Sequence, residues 1–351
     1  MVKLKVETSK MHEIFIEKNL LSSISDKLNF LPNCCNILIV TDKNVKRLYL
    51  ETLINNLKTS NFQVYTFIVP AEEKSKSFKQ AIKIYDFLCK HNFSRSDCIL
   101  SLGGGVVGDL AGFVASTFLR GVRFVNIPTS LLAQVDSAIG GKNGIDTPYG
   151  KNLVGSFYYP KAILIDPSLI YTLPSREISN GFAEIIKYAL IKDKDLFFKL
   201  KELDLSNLHE NLADIILKCV LIKKEIIEKD EFDQNYRMIL NFGHTLGHAI
   251  EKLGNFKKYS HGQAISIGMI MIVKACVRKN ILDKSLLSDL ESILHKFSLP
   301  TSCNINERKI VLASLNDKKF FNNKVNVVLI SNVGEGYIQP FSKDEFIKFL
   351  L

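Results

Sequence analysis

Two histidines four residues apart, His244 and His248, stand in LNFGHTLGHAIEK at the start of a stretch with helical apolar spacing. An i,i+4 pair shares one helix face, so the imidazoles could hold a metal ion together, supply half of such a site, or be hydrogen-bonded structural histidines. Spacing alone leaves all three open. Thiol chemistry is easier to restrict. Seven cysteines (34, 35, 89, 98, 219, 276 and 303) form no C-x-x-C pair, and several fall in apolar runs. Reduced, buried thiols are expected, and a metal here would need histidine and carboxylate ligands.

The second chemical signal is SLGGGVVGDLAGFVAS, in which Gly103, Gly105 and Gly108 fit G-x-G-x-x-G between a strand, CILSL, and the start of a helix. Such glycines let the backbone approach a pyrophosphate, and the helix N-terminus offers it free N–H groups and a positive dipole end. By pattern alone a tight turn without a ligand remains the alternative. The acidic residue customary about 20 positions further on is missing; that region reads NIPTSLLAQ. Asp42 and Asn44 in VTDKNV, at the end of an earlier strand, are placed to hold a ribose instead. The pattern indicates a nucleotide site that differs from the common dehydrogenase arrangement.

The elements that must position these groups alternate in the first half. MVKLKVET and MHEIFIEK read as a hairpin, and NILIVTD, QVYTFIV, CILSLGGG, RFVNIPT and KAILIDP as strands. Helical patterns such as KSFKQAIKIYDFLCKH lie between several of them. This alternation predicts a parallel α/β sheet with crossover helices. After LPSRE the apolar spacing is helical from about 178 to 300, followed by two β-like runs, KVNVVLIS and GEGYIQP, and a last short helix. Two domains are expected: an α/β domain over 1–175 and a mainly helical one over 176–351.

Length and composition agree with a folded protein: 351 residues, 46% hydrophobic and 23% charged. The N-terminus alternates like a strand and has no apolar signal core, and AISIGMIMIV is too short to cross a bilayer. A cytoplasmic protein without a membrane partner is expected. The net charge of +10 resides in runs such as KSKSFK and IKKEIIEK. These mix with acids on amphipathic patterns, so solvated faces are the ordinary reading. Lysines converging on a phosphorylated substrate, or a nucleic-acid surface, are the alternatives.

The stretch PTSLLAQVDSAIGGKNGIDTPYGKNLVGSFYYP, following GGGVVGD, resembles the signature of the 3-dehydroquinate synthase family. The likeness continues through NGFAEIIKYAL, DEFDQNYR, LNFGHTLGHA and HGQAISIGM, so it spans most of the chain. It implies a Rossmann-like NAD domain joined to a helical domain, with the active site in the cleft between them, and a homodimer. It also implies conversion of 3-deoxy-D-arabino-heptulosonate 7-phosphate to 3-dehydroquinate in the shikimate pathway. That reaction runs by transient oxidation at C5, β-elimination of phosphate, re-reduction, ring opening and an intramolecular aldol closure.

By this resemblance the metal ligands, for zinc or cobalt, are Glu184, His244 and His261. His248 is then not a direct ligand but orients one or relays a proton. Asp136, Lys142, Asn152, Lys187, Lys223, Arg237 and Asn241 are implied to face the substrate, and Arg120 to reach its phosphate from a neighbouring subunit. Either Lys318 or Lys319 in NDKK is a further candidate. For NAD the resemblance implies Asp42, Asn44, Glu73, Lys76, Gly104, Gly105, Val106, Asp109, Thr129, Ser130, Lys142, Lys151 and Thr172. Three positions depart from the family pattern. Glu72 stands where glycine is usual, Ser130 replaces threonine, and Asp233 replaces glutamate. The competing readings are other sugar phosphate cyclases, a metal-dependent polyol dehydrogenase that releases NADH, and a basic nucleic-acid-binding protein. The lack of any recognition element argues against the last.

Overall fold

Runs of β-branched and leucine residues that end in turn chemistry become strands when both faces are covered. The chain is seen here as a computed structural model that describes residues 1–60, 62–315, 320–321 and 324–351. Its strands are β1 (Val2–Val6), β2 (His12–Ile16), β3 (Asn36–Asp42), β4 (Gln63–Val69), β5 (Cys98–Gly103), β6 (Arg123–Pro128), β7 (Lys142–Thr147), β8 (Gly150–Phe157) and β9 (Ala162–Ile165). Seven form one sheet in the order β1-β2-β9-β6-β5-β3-β4. The β1–β2 hairpin is antiparallel, and the other pairings are parallel.

Alternation along β3 divides the core. Ile37 and Ile39 join one apolar cluster with Leu53 and Leu57 of α2 (Glu51–Leu57), which follows the single turn α1 (Lys43–Val45). Leu38 and Val40 join the opposite cluster, with Ile84 of α3 (Phe78–Lys90) and Leu110 of α4 (Gly105–Thr117). A period of two on a strand buried on both faces gives this result.

The chain divides into two compact units, Met1–Leu173 with Leu212–Phe232, and Pro174–Asn211 with Asp233–Leu351. The second contains α5 (Ser175–Lys192), α6 (Lys194–Glu202) and the first turn of α7 (Leu208–Lys229). It continues with α8 (His244–Leu253), α9 (His261–Arg278), α10 (Lys284–Lys296) and α11 (Glu307–Ser314). An antiparallel sheet of β10 (Phe320–Phe321), β11 (Lys324–Asn332) and β12 (Glu335–Ser342) precedes α12 (Lys343–Leu350). The fold is therefore an α/β N-terminal part followed by a mainly helical one.

Two features differ from the sequence reading. Residues 212–232 pack with the first unit: Glu228 accepts the Glu7 amide at 2.6 Å and Glu231 the Ser9 amide at 2.9 Å. Amphipathic spacing identified this helix but not the surface its face would meet. The β7–β8 hairpin stands apart from the main sheet, and its glycine-rich, polar sequence hides the strand alternation. All seven cysteines are free. Cys98, Cys219 and Cys276 are buried as expected, whereas Cys35 and Cys89 are exposed. Among the described residues no helix is long and apolar enough to cross a membrane.

Candidate active site

In the second unit, α5, α8 and α9 bring three donor groups together. Glu184 Oε1 lies 3.3 Å from Nε2 of His244 and 3.3 Å from Nε2 of His261. One donor atom from each residue falls within 4.8 Å of the others. Local sequence explains the convergence. Ser260 and Gln263 form a capping box that starts α9 at His261. The Ser260 hydroxyl also donates to Asn180 Oδ1 at 2.6 Å, one turn before Glu184 on α5. Gly243, at φ +77°, caps α8 just before His244, a conformation that favours glycine. On α9, a Cβ at Gly268 would lie 2.1 Å from the Gly243 carbonyl oxygen, so glycine there permits α8 and α9 to approach.

The electrostatics fit a cation. His244 Nδ1 lies 3.1 Å from the Phe242 carbonyl oxygen, and so it carries the ring hydrogen of a neutral imidazole. Burial keeps His244 below its ordinary pKa in spite of Glu184. Its Nε2 lone pair therefore faces the Glu184 carboxylate, which calls for a positive charge between them. Burial pushes Glu184 up, but Lys187 and, after it, the two neighbouring histidines outweigh it and hold the carboxyl well below its usual range. Lys187, almost fully buried, forms an ion pair with Glu184. Burial lowers His261, yet hydrogen bonds to Glu184 and Glu251 win and raise it to about 10. Two imidazoles and a carboxylate are a zinc-type donor set with room for a further ligand. His248 lies beside it, its ring centroid 5.5 Å from that of His244 and 6.4 Å from that of His261.

The first unit holds the glycine loop. After β3 the chain crosses to β4, then returns to place β5 on the other side of β3, so the strand order reverses between β3 and β5. Ligands of open α/β sheets bind at the carboxyl ends of strands at such a point. Asp42 ends β3 and accepts the amides of Asn44 at 2.7 Å and Val45 at 3.1 Å. Gly103 ends β5, and Gly104 caps α4. The Thr129 amide, just after β6, donates to the Gly103 carbonyl at 3.0 Å. A Cβ on Gly105 would meet the Ser137 hydroxyl at 3.0 Å, and one on Gly104 the Ser130 hydroxyl at 3.2 Å. Glycine at these positions lets the loop pack closely against Ser130 and Ser137.

Other candidates gather in the same unit. Lys76, buried, donates to Asp109 at 2.7 Å and to Asn152, and Glu73 lies 3.6 Å from Lys151. Lys223 donates to the Asp136 carboxylate and carbonyl, both at 2.6 Å. Tyr49 and Thr172 share a hydroxyl hydrogen bond. Lys142 begins β7 with its ammonium 5.9 Å from the Phe157 ring. Val106 lies in the first turn of α4, and Arg120 is exposed at φ +64°. In the second unit Arg237 is buried on the turn Tyr236–Asn241, which also carries Asn241. Lys318 and Lys319 lie outside the described residues.

Residues 66–180 match the family model described as 3-dehydroquinate synthase N-terminal, and residues 181–320 the one described as 3-dehydroquinate synthase C-terminal. The chain belongs to the 3-dehydroquinate synthase family. A 3-dehydroquinate synthase of Clostridium botulinum (strain Alaska E43 / Type E3) is 43% identical over 97% of each chain. One from Clostridium perfringens (strain SM101 / Type A) is 50% identical over 81% of each. Two solved structures share the fold. A 2-deoxy-scyllo-inosose synthase complexed with carbaglucose-6-phosphate, NAD+ and Co2+ is 22% identical, with a TM-score of 0.88 over 99% of each chain. A 2-epi-5-epi-valiolone synthase from Streptomyces hygroscopicus subsp. jinggangensis 5008, with NAD+ and Zn2+, is 24% identical. Its TM-score is 0.88, over 99% of this chain and 98% of that one.

The departures from the family pattern have local explanations. Glu72 has φ −144° and ψ 151°, extended backbone that needs no glycine. The Ser130 hydroxyl accepts the Ala133 amide at 3.3 Å, a bond that threonine would make equally. Asp233 adopts φ +59°, which aspartate tolerates better than most residues. Sequence reasoning missed Glu251, whose Oε1 lies 3.6 Å from His261 Nδ1. Its signal was available, because positions 244, 248 and 251 share one helix face.

Proposed function

We propose that this chain converts 3-deoxy-D-arabino-heptulosonate 7-phosphate to 3-dehydroquinate and phosphate, acting as a carbon–oxygen lyase of the shikimate pathway in the cytoplasm. The observation that carries this reading is the Glu184–His244–His261 cluster, in which one donor atom from each residue lies within 4.8 Å of the others, in a chain of this family. These three residues would hold zinc or cobalt, and the loop from Gly104 to Val106, with Asp42, Asn44, Asp109, Thr129 and Ser130, would hold NAD. Bound there, the ion supplies a Lewis acid, and the dinucleotide a hydride acceptor that is restored within each turnover.

The protein's own groups bind and orient. Arg237 is a rigid two-pronged donor suited to the substrate carboxylate. Lys142, Lys223 and Asn152 offer donors to its hydroxyl and phosphate oxygens, and Asn241 and Asp136 complete the polar lining. Lys187, buried and ion-paired with Glu184, would bring its ammonium to the carbinol that is oxidised. That charge disfavours protonation of the oxygen and so favours loss of hydride. His248, its ring centroid 5.5 Å from that of His244, would exchange a proton with the substrate or a ligand. Arg120 is exposed, as a residue serving the site of a second copy in a homodimer must be.

The test is to strip the purified protein with chelator and add NAD, heptulosonate phosphate and zinc or cobalt. Phosphate release, dehydroquinate by mass and NADH absorbance are then followed together. Metal-dependent phosphate and dehydroquinate in equal amounts without NADH accumulation supports the reading. Steady NADH without phosphate would reassign the chain to the dehydrogenases, and duplex DNA binding is expected to be absent.

A further inference from the structure

We infer that Asp146 is a positioning residue that anchors a β-bulge, and that this bulge delivers Lys151 and Asn152 to the ligands. The inference rests on the proposed reaction for what those ligands are. In the β7–β8 hairpin, Ile145 pairs with Val154 and Thr147 with Gly150, so the single residue Asp146 opposes Lys151, Asn152 and Leu153. Bulges of this kind bend a strand and re-aim its side chains, and they concentrate beside active sites. Here the excess residues put Asn152 at φ +55°, in the left-handed region.

Four hydrogen bonds hold that geometry. Asp146 Oδ1 accepts the Asn152 amide at 2.9 Å, which ties the two sides of the bulge together. The Asp146 amide donates to the Lys76 carbonyl at 2.8 Å, which ties the bulge to the segment carrying Glu73 and Lys76. Lys76 then closes the ring with its ammonium, donating to the Asn152 side chain and to Asp109 Oδ2. Lys151, adjacent to Asn152, lies 3.6 Å from Glu73. Asp146 is therefore the joint through which the hairpin and the Lys76 segment share one arrangement. The bond to the Asn152 amide needs an acceptor oxygen but no negative charge, so asparagine at 146 can make it and alanine cannot.

The experiment compares Asp146→Ala and Asp146→Asn with the parent protein. Hydrogen exchange at the Asn152 amide is measured without ligands, NAD affinity by calorimetry, and turnover with heptulosonate phosphate and zinc. Asp146→Ala is expected to speed exchange at Asn152, weaken NAD, and lower kcat/KM about tenfold to a hundredfold. Asp146→Asn should stay close to the parent in all three. Unchanged exchange in Asp146→Ala would overturn the anchor, as would an Asp146→Asn protein as impaired as Asp146→Ala. Faster exchange with unchanged NAD affinity and kinetics would overturn the link to the ligands. A parent protein that makes no dehydroquinate would sink the proposed reaction instead, while exchange and NAD affinity still decide the role of Asp146.

Discussion

The behaviour of the candidate metal centre follows from its charges. A carboxylate behind a ligating imidazole fixes its orientation and raises its basicity, the position Glu251 holds behind His261. Glu251→Gln preserves size and removes that charge, so metal affinity is expected to fall about 10- to 100-fold. Competition with a chromophoric chelator reads this directly, and Glu184→Gln should bind still more weakly. The His261 pKa of about 10 in the metal-free arrangement gives a second prediction. At neutral pH the free site carries a proton there that metal must displace, so uptake releases protons and affinity weakens as pH falls. Calorimetry in buffers of different ionisation enthalpy counts those protons, and no proton release would contradict the assignment. Little of this was legible from spacing. The visible pair was His244 and His248, yet Glu184 and His261 lie 77 positions apart and meet only in the fold. The family resemblance, not periodicity, pointed to the triad.

Among elements, the decisive contact is the approach of α8 to α9. Gly268→Ala would place a methyl group 2.1 Å from the Gly243 carbonyl oxygen, and backbone there has no rotamer with which to yield. The helices must separate, at a cost of about 1–3 kcal/mol for an overpacked core. His244 then moves away from His261. Lower thermal stability together with weaker zinc binding is expected, measured by calorimetry and metal titration. A protein that keeps full zinc affinity would show that the site tolerates the shift. Elements with strong local signals were readable: the β1–β2 hairpin, the five other strands of the main sheet, and the helical apolar spacing that runs through α9. The β7–β8 hairpin was not, because Gly144, Gly150 and Gly155 with polar neighbours interrupt its alternation. Nor was the packing of residues 212–232 with the first unit, since an amphipathic face declares that it is buried but not against what.

For the whole molecule, stability should depend on pH through His12. Its ring is 2% exposed and stacks on Tyr159 with centroids 5.0 Å apart. Nδ1 lies 3.2 Å from the Lys10 carbonyl oxygen, which fixes the hydrogen on that nitrogen and leaves the lone pair on buried Nε2. Burial lowers the pKa below 6.5 and outweighs the Lys10 carbonyl and the charges of Glu228 and Glu231, which raise it. The folded state therefore binds fewer protons at His12 than the unfolded chain below that pH. The contribution to stability is complete above about 6.5, the ordinary histidine value, and is lost as pH falls toward the depressed folded value. His261 acts with the opposite sign, its contribution being complete below the ordinary value and lost as pH rises toward about 10. Comparing the parent with His12→Phe at each pH cancels that opposing term and isolates His12. The phenyl ring keeps the stacking and cannot charge, so its unfolding temperature should gain on the parent between pH 7.5 and 5.5. A gap that stays constant over this interval would mean that His12 is not the group that titrates.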